Sequence, residues 1–489
     1  MKFPIGIQQF EENRLGDWIY VDKTAHIYNL AAGGKYFFLS RPRRFGKSML
    51  LSTLEAYFQG KKYLFKGLAI EQLETEWAEH AVLHLDLNAE KYTAPEDLTN
   101  ILDTYLREWE EKYESTEKEN PSLSQRFRSV IRAAKQKTGR NVIVLVDEYD
   151  KPMLQAIGNE ELQTEFRNAL KAFYGVLKSA DGDLRFAMLT GVTKFSKVSV
   201  FSDLNNLNDI SMDNRYTEIC GISEKELHHY FNEDIQKMAD KDGVTYEDMS
   251  ERLRQNYDGY HFAPNTGGMY NPFSILNVLS RLQFGSYWFE TGTPTYLVEL
   301  LQKNNYALAE MDNIIVGFET LSGIDAADTD AIPVIFQSGY LTIKDFDSRF
   351  QSYTLGYPNK EVEMGFTKFL LPYYTASRST RSAFEIQNFV REVESGDIDG
   401  FFTRLRSFFS DTTYEVIRQQ ELHYSNVLYI VFKLLGFYTQ VEYHTSNGRI
   451  DLVLQTPDYI YVMEFKLNGT AEEALQQIND KGYALPFAR

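Results

Sequence analysis

The stretch from Ser40 to Ser48 reads SRPRRFGKS and joins an apolar run, YFFL at 36–39, to a helical pattern that begins at Met49. A tight loop between a strand and a helix directs backbone N–H groups at an anion, and the helix N-terminus favours negative charge. In the motif G-x-x-x-x-G-K-[ST], the lysine reaches the β- and γ-phosphates and the hydroxyl binds Mg²⁺. The sequence therefore predicts an ATP site with Lys47 on the phosphates.

The loop departs from this motif at one position, because Arg41 stands where the first glycine would be. The same residues could therefore form a basic turn that only caps a core helix. If the loop does bind nucleotide, we expect Ser48 to bind the magnesium ion. The residues expected around the phosphates are Arg43, Arg44, Phe45, Gly46, Lys47 and Ser48.

A second element decides between these interpretations. Residues 141–148 read NVIVLVDE, an apolar run that ends in two carboxylates. A run this long fits a strand buried on both faces, as in a parallel sheet. Asp147 is predicted to bind Mg²⁺, and Glu148 to polarise the attacking water. A strand that merely meets solvent also ends in acids, but the two elements in this order favour an ATP site.

A third apolar run, residues 184–191, carries the polar residue Thr190 next to its end. In ATPases with this strand order, a polar residue here senses the γ-phosphate, and Thr190 is preferred over Thr193 for that role. A hydroxyl that satisfies a nearby backbone group is the alternative for either threonine. Arg215 and Arg254 are further candidate sensors, although nothing in the sequence separates them from surface arginines.

Chemistry-bearing residues recur near the C-terminus, in the runs 448–454 and 459–466. Side chains alternate along a strand, so Glu464 and Lys466 share one face, and apolar residues on both faces predict a central, buried strand. A buried charge needs a partner or a metal. Asp451 and Glu464 are predicted to bind Mg²⁺ or Mn²⁺, and Lys466 to orient water or stabilise the phosphate's charge. A structural ion pair is the alternative.

This C-terminal pattern resembles a known signature. GRID at 448–451 followed by EFK at 464–466 is similar to the D…(D/E)-x-K motif of the PD-(D/E)XK nuclease superfamily, and residues 477–483 resemble the helical motif that follows it. The resemblance implies metal ligands at Asp451 and Glu464 and a catalytic lysine at Lys466. It also implies supporting or DNA-contacting roles for Gln477 and Tyr483, and an extra acid at Glu421.

The N-terminal half resembles bacterial AAA-ATPase-like proteins that carry such a nuclease domain. The resemblance rests on YVDKT at 20–24, RPRRFGKS at 41–48, DEYD at 147–150 and LTGVTKF at 189–195. That family shares the arginine-rich loop, so Arg41 counts less against ATP binding. The nuclease fold normally continues with another strand or two beyond the Gln477 helix. The chain ends at Arg489, so a truncated and inactive nuclease domain is one expectation.

The resemblance implies an α/β fold class: a P-loop NTPase parallel sheet with a helical lid, a mixed α/β connecting region and a PD-(D/E)XK nuclease-like domain. The predicted domain bounds are 1–215 for the ATPase core, 216–284 for the lid, 285–410 for the connecting region and 411–489 for the nuclease-like domain. A helix is expected over residues 383–410.

Composition narrows the setting. Of 489 residues, 43% are hydrophobic and 25% charged, as in ordinary soluble proteins. The single cysteine, Cys220, excludes an internal disulfide and favours a reducing, cytoplasmic compartment. The longest apolar stretch, residues 427–438, is too short to span a bilayer and contains Lys433, so no membrane insertion is expected. The net charge of −18 repels nucleic acid, so DNA contact needs local basic patches. One candidate patch, which is equally a solvated helix face, consists of Arg126, Arg128, Arg132, Lys135, Lys137 and Arg140.

Two functions of different classes follow. The first is an ATP-gated nuclease, in which a P-loop ATPase controls Mg²⁺-dependent hydrolysis of DNA. The second is a nucleotide-switched signalling or scaffolding ATPase whose nuclease-like domain is inactive or only binds nucleic acid. ATP and DNA are the expected partners, and homo-oligomerisation is left open, as are the nucleic-acid substrate and the polarity of cleavage.

Overall fold

The computed structural model describes residues 2–116, 121–195, 207–289, 296–324, 330–375, 382–409, 417–436, 438–446, 449–466 and 469–481. For residues 382–383, 417–421, 442–446 and 449–451 it describes the backbone only. The chain divides into two compact units. The first comprises Met1–Trp288 with Ile315–Asn359, and the second comprises Phe289–Ile314 with Lys360–Arg489.

In chain order, the helices are α1 (Phe10–Leu15), α2 (Thr24–Gly33), α3 (Lys47–Phe58), α4 (Pro95–Tyr113), α5 (Leu123–Thr138), α6 (Lys151–Gln155), α7 (Glu160–Ser179), α8 (Glu224–Asp242), α9 (Tyr246–Tyr257), α10 (Pro272–Arg281), α11 (Tyr296–Lys303), α12 (Phe318–Leu321), α13 (Ala331–Gln337), α14 (Lys360–Tyr374), α15 (Ser382–Ser395), α16 (Ile398–Phe409), α17 (Ile417–Leu435) and α18 (Ala471–Asp480). The strands are β1 (Tyr36–Ser40), β2 (Val82–Asp86), β3 (Val142–Asp147), β4 (Leu184–Gly191), β5 (Asn208–Asp209), β6 (Ile222–Ser223), β7 (Met269–Tyr270), β8 (Ile314–Gly317), β9 (Thr342–Asp347), β10 (Ser352–Gly356), β11 (Gln440–Ser446), β12 (Arg449–Gln455) and β13 (Ile460–Lys466).

The first unit is built on a five-stranded parallel sheet in the order β2-β3-β4-β1-β5. This confirms the predicted α/β architecture with a parallel sheet. In register, Leu39 of β1 lies beside Thr190 of β4, and Asp86 of β2 lies beside Asp147 of β3. Because parallel strands end at the same edge, the residues that follow β1, β3 and β4 converge there.

Burial explains why these segments form this sheet. Every residue of β3 is buried, as expected for a central strand with helices on both faces. Helix α3 packs against β3 and β2, with Leu51 and Leu54 inaccessible to solvent. The helix that follows the basic loop is therefore fixed to the sheet along its apolar side, and its N-terminus lies directly after β1 and the loop.

Helices and two small sheets complete the first unit. Helix α8 begins with a capping box in which the Ser223 hydroxyl accepts from the Glu226 N–H and the Glu226 carboxylate accepts from the Ser223 N–H. Helix α10 begins with Pro272 in its first turn, where the fixed φ of proline suits a helix start. Strands β6 and β7 pair, and a separate sheet has the order β8-β10-β9.

The second unit contains helices α14 to α17 and an antiparallel sheet in the order β11-β12-β13. The single helix expected over 383–410 is wrong, because α15 and α16 are separate helices. Gly396, at a φ of +78°, interrupts the helical path, and the Asp397 carboxylate accepts from the Gly400 N–H to start α16. Glycine adopts this left-handed conformation without steric strain.

The expectation of a central, buried strand at 459–466 is also wrong for the described part of the chain. Strand β13 lies at the edge of its sheet, and most of its residues are only half-buried. The central strand is β12. On one face, the exposed Tyr459 and the half-buried Tyr461 stack on each other at a centroid distance of 5.9 Å. Further along the same face, Met463 is buried and Phe465 packs against Phe432 at a centroid distance of 5.7 Å. Within the described ranges, no helix combines the length and apolar character that crossing a membrane requires.

Candidate functional site

The loop between β1 and α3 has the backbone form of an anion-binding loop. Arg44 has a φ of +66° and Gly46 a φ of +94°, and Gly46 directly precedes the first residue of α3. Left-handed residues in a loop of this kind turn successive N–H groups toward one concavity, and the helix N-terminus adds partial positive charge. The backbone is therefore suited to negatively charged phosphate oxygens.

Lys47 is buried at the base of this loop and is held there by three oxygens. Its Nζ lies 3.1 Å from the Arg41 carbonyl and 3.2 Å from Oε1 of Glu148, and it also reaches the Pro42 carbonyl at 3.4 Å. Burial disfavours protonation, yet the carboxylates of Glu148, Asp147 and Asp150 outweigh it and raise the pKa of Lys47. The ammonium is therefore charged at neutral pH.

Asp147 and Thr190 meet at the adjacent ends of β3 and β4. The Thr190 hydroxyl donates to Oδ1 of Asp147 at 2.7 Å, and the Glu148 N–H donates to the same oxygen at 3.0 Å. Both Asp147 and Thr190 are buried. Thr190 therefore lies beside the predicted nucleotide site, but its hydroxyl donates to the Asp147 carboxylate.

Glu148 follows β3 with a φ of +52°, a conformation that is strained for a residue other than glycine. In that conformation, the Glu148 carboxylate lies beside the ammonium of Lys47, the first residue after the phosphate-binding loop. The two residues predicted to bind phosphate and to activate water therefore form an ion pair with each other.

Asp150 is a site residue to which the sequence motifs assigned no role. It is fully buried, and one of its oxygens accepts from both the N–H and the hydroxyl of Thr193, at 2.6 and 2.7 Å. The Val192 N–H also donates to this carboxylate. Burial, with the nearby charge of Glu148, raises the pKa of Asp150 to about 7. The DEYD spacing was the available signal, since it repeats an acid three positions after Asp147.

Arg41, at the position of the missing glycine, is a buried structural residue. Its guanidinium donates to the carbonyls of Ser40, Ser211 and Tyr216 at 2.9, 2.7 and 3.1 Å, and its Cζ lies 3.9 Å from the centre of the Phe262 ring. Burial lowers the pKa of Arg41 to about 10, which leaves it charged at neutral pH. Arg41 therefore anchors the start of the loop to the segment after β5.

The three loop side chains that follow Pro42 also contact aromatic residues. The Cζ of Arg43 lies 5.1 Å from the centre of a Trp288 ring, and that of Arg44 lies 4.9 Å from the Phe273 ring. Phe45 is buried and packs edge-on against Tyr260 at a centroid distance of 4.8 Å. The arginines predicted to contact phosphate thus lie on ring faces in this structure, where cation–π attraction stabilises them.

The residues at this edge fit a magnesium ion. Among the described residues, both hydrogen bonds to the Asp147 side chain go to Oδ1, which leaves Oδ2 for a ligand. Ser48 lies half-buried on the first turn of α3. Carboxylate and hydroxyl oxygens are ligands that Mg²⁺ accepts, and it commonly uses one or two carboxylates together with water and phosphate. No cluster of three or more His, Cys, Asp or Glu suited to a metal occurs within the described part of the chain.

Five of the other predicted basic residues form ion pairs with acidic residues. Arg215 pairs with Asp213, and Arg254 with Glu251, both on the surface. On α5, the Arg126 guanidinium pairs with Asp103 and Glu110. From the same predicted patch, Lys135 pairs with Asp183 and Lys137 pairs with Glu114. These contacts match the alternative of a solvated helix face with ion pairs.

The predicted C-terminal site lies on β12 and β13. Asp451 and Glu464 are directly opposite each other in the antiparallel register. The Glu464 side chain is 1% exposed, and its Oε1 lies 3.9 Å from Nζ of Lys466. Gln477 is on α18, which packs against β13. The side chains of Asp451 and Glu421 lie outside the described atoms, and Tyr483 lies outside the described residues.

Two different family models match the two regions of the chain that contain the candidate sites. A family model described as "Predicted AAA-ATPase" (AAA-ATPase-like) matches residues 4–201, and a model of the PD-(D/E)XK nuclease superfamily matches residues 419–489. A protein of Azotobacter chroococcum mcd 1, named "Uncharacterized protein in vnfD 5'region", is 36% identical over 501 residues, which cover 99% of this chain and 93% of the relative. The chain belongs to the AAA-ATPase-like family. Its AAA-ATPase-like region contains the basic loop, β3 and β4, and its PD-(D/E)XK region contains β12, β13 and α18.

Proposed function

We propose that this AAA-ATPase-like protein binds and hydrolyses ATP at the edge formed by the basic loop, β3 and β4, and that the nucleotide controls metal-dependent hydrolysis of DNA by the C-terminal domain. The observation that carries the proposal is the convergence of Lys47, Glu148 and Asp147 at one edge of the sheet, where β1 and β3 both end. A phosphate-binding cation, a carboxylate for water and a carboxylate for Mg²⁺ are the parts that phosphoryl transfer to water requires.

Each group has a role in the proposed reaction. Backbone N–H groups of the loop and Lys47 hold the phosphates, and Asp147 with Ser48 would hold Mg²⁺, which neutralises charge developing on the β- and γ-oxygens. Glu148 orients the attacking water and accepts its proton. Since Glu148 is bound to Lys47 in this structure, phosphate binding must separate that pair. The released carboxylate then turns to water only when nucleotide is present.

The ATP site is tested by calorimetric titration with Mg·ATP and by phosphate release. Lys47→Ala removes the phosphate-binding cation and should abolish measurable binding. Glu148→Gln removes the competing charge and the base, so ATP should bind more tightly while hydrolysis slows by about 100-fold or more. Glu165→Gln, an exposed substitution on α7, is the matched control and should change neither quantity. Wild-type binding unaltered in Lys47→Ala would refute the proposed site.

The nuclease half of the proposal is supported by the buried carboxylate of Glu464, by its proximity to Lys466, and by the register that sets it opposite Asp451. Two carboxylates on neighbouring strands supply oxygen ligands for Mg²⁺ or Mn²⁺. When bound, the metal supplies an activated water and stabilises charge on the phosphate. Lys466 would assist by orienting the water or by binding the phosphate.

DNA cleavage is measured on linear, single-stranded and branched substrates with Mg²⁺ or Mn²⁺. Glu464→Gln and Lys466→Gln should each abolish cleavage, since each removes a charge that the reaction uses. Glu472→Gln, an exposed change on α18, should leave the rate unchanged. Equal cleavage by wild type and Glu464→Gln would assign the activity to a contaminant and contradict the proposed site.

The net charge of −18 favours a second candidate function, a nucleotide-switched scaffold whose nuclease-like domain does not cut nucleic acid. At low ionic strength, a protein with such a charge repels nucleic acid, whereas most nucleic-acid-binding proteins are attracted to the phosphate backbone by their basic residues. This alternative predicts intact ATP binding, with no cleavage of any DNA substrate under any metal condition.

A further inference from the structure

Trp288, which is distant from the phosphate-binding loop in sequence, contacts that loop directly. Its indole Nε1 donates to the carbonyl of Arg43 at 3.1 Å, and its side chain is buried. The Arg43 guanidinium lies over a ring of the same indole and donates to the Tyr340 hydroxyl at 3.2 Å. The rings of Tyr340 and Trp288 are in contact at a centroid distance of 4.9 Å. The Trp288 N–H therefore holds the Arg43 carbonyl, while the Arg43 side chain is held by Trp288 and Tyr340.

Peptide geometry gives this hydrogen bond a consequence for the anion site. The carbonyl of Arg43 and the N–H of Arg44 belong to one planar unit, and in a trans peptide they point in opposite directions. No cis peptide occurs in the described chain. Because the Arg43 carbonyl is directed at Trp288, the Arg44 N–H is directed away from it. Among the described residues, none accepts a hydrogen bond from this N–H.

Arg44 is also one of the two left-handed residues of the loop, with a φ of +66°. Rotation of the preceding peptide would exchange its N–H for the Arg43 carbonyl, and a carbonyl oxygen repels phosphate. The orientation of this single peptide therefore decides whether the loop presents a donor or an acceptor at that position. Burial of the indole fixes the orientation before any ligand arrives, which lowers the cost of ordering the site on binding.

We propose that Trp288 is a positioning residue for the nucleotide's phosphates, acting through the Arg43–Arg44 peptide. This inference rests on the proposed ATP site and adds to it a specific residue outside every motif of the sequence. Trp288 touches no phosphate itself. Its indole N–H orients the peptide so that the Arg44 N–H faces the α- and β-phosphates, which loop N–H groups of this kind cradle.

The test replaces Trp288 by Phe, which keeps an aromatic ring beside Arg43 but removes the N–H donor. We expect Mg·ATP and Mg·ADP to bind about five- to tenfold more weakly, by the same factor, since one hydrogen bond to a phosphate they share is weakened. Affinity is measured by calorimetry. Trp109→Phe is the matched control, because Trp109 is also a buried tryptophan, lies on α4, and should keep wild-type affinity.

Adenosine supplies a readout that separates phosphate positioning from packing, because it carries no phosphate: it should bind Trp288→Phe and wild type equally, whereas a packing defect would weaken the binding of both adenosine and ATP. Fluorescence then shows whether bound nucleotide is sensed at the Trp288 indole. Nucleotide that engages the loop alters the surroundings of the Trp288 indole, so the emission of wild type and of Trp109→Phe should respond to ATP. The response should be absent in Trp288→Phe even at saturating ATP.

The outcomes separate this inference from the ATP site itself. If wild type binds ATP but Trp288→Phe binds it within twofold of wild type, or keeps the full fluorescence response, the positioning role is refuted and the site stands. An equal loss of affinity in Trp109→Phe would also refute it, because general destabilisation would then explain the effect. If wild type binds no ATP, both the site and the positioning role are refuted.

Discussion

At the scale of single residues, Arg41 has exchanged the usual role of a loop glycine for a structural one. A glycine at this position allows close approach of the backbone to phosphate, whereas the Arg41 guanidinium binds three carbonyl groups and stacks on Phe262. Three carbonyls of buried or half-buried residues would lose their donor if the side chain were removed. The arginine is therefore part of the loop's foundation.

Restoring the glycine should consequently harm the protein. We expect Arg41→Gly to lower the free energy of unfolding of the first unit by about 3 kcal/mol, because unsatisfied buried polar groups cost about 1–3 kcal/mol each. Arg41→Lys, which keeps the charge but loses the planar fork, should lie between wild type and glycine. Urea denaturation followed by circular dichroism measures the difference. A glycine variant as stable as wild type would show that these contacts contribute little.

Thr190 offers a second test at this scale, because its hydroxyl donates to Asp147. If its role is to orient this proposed magnesium ligand, Thr190→Val should raise the Mg²⁺ concentration needed for half-maximal ATP hydrolysis by about tenfold, as loss of an outer partner of a ligand does. Thr190→Ser keeps the hydroxyl and should behave as wild type. A γ-phosphate sensor would instead show a defect in hydrolysis that excess Mg²⁺ does not correct.

At the scale of elements, the contact between β2 and α3 joins the helix of the phosphate loop to the sheet through an ion pair. Nδ1 of His84 lies 2.8 Å from the Glu55 carboxylate, and both side chains are largely buried. Burial opposes protonation of His84, but Glu55 outweighs it and raises the pKa of His84. For Glu55, burial raises and His84 lowers the pKa, and the net effect is a lowered pKa.

These shifts define a pH window for stability. The raised pKa of His84 contributes stability below its ordinary value of 6.5, which is lost as the pH rises through the folded-state value. The lowered pKa of Glu55 contributes stability above its ordinary value of 4.5, which is lost as the pH falls through its folded-state value. The pair should therefore stabilise the fold most between these two pH values.

Glu55→Gln tests that window. The variant should be less stable than wild type by about 1 kcal/mol near pH 5.5, where the pair is fully charged, and the difference should shrink at pH 9. Thermal unfolding at both pH values gives the comparison. Glu71→Gln, a substitution at an exposed position, serves as a control without such pH dependence. A difference that is larger at pH 9 would contradict the assigned pKa directions.

Elements also show what the sequence could foretell. The apolar run that leads to Asp147 predicted a strand of a parallel sheet, because a strand buried on both faces needs apolar residues throughout. The edge position of β13 was not predictable from its residues, since tyrosines suit both a core and an outward pair. Nor was the break at Gly396, because an isolated glycine inside a helical pattern is compatible with a continuous helix.

The same limit applies within the site. Motif spacing identified Lys47, Asp147 and Glu148, but gave no role to Asp150, whose carboxylate is held by the Thr193 N–H and hydroxyl that the fold brings to it. Trp288 lies 245 residues from Arg43 along the chain, and its contact could not be inferred from sequence order. Side-chain partners distant in sequence are set by tertiary packing, which periodicity does not encode.

At the scale of the whole molecule, the two proposed sites belong to two different compact units. The proposed ATP site lies in the first unit, and the acid–lysine strand β13 lies in the second. The chain passes between the units three times, at 288/289, 314/315 and 359/360. We propose that a nucleotide-dependent change in the first unit reaches the second through these three connections. We therefore propose for the intact protein that ATP is coupled to DNA hydrolysis.

Coupling is measured most directly as the rate of DNA cleavage by the full-length chain while ATP is varied at constant free Mg²⁺. We expect ATP to change the wild-type rate by at least tenfold, Lys47→Ala to cleave at the ATP-free rate whatever the ATP concentration, and Glu464→Gln not to cleave at all. Cleavage that depends on Glu464 but is the same with and without ATP would contradict the coupling. Cleavage in none of the three proteins, with ATP binding intact, would instead identify a nucleotide switch without nuclease activity.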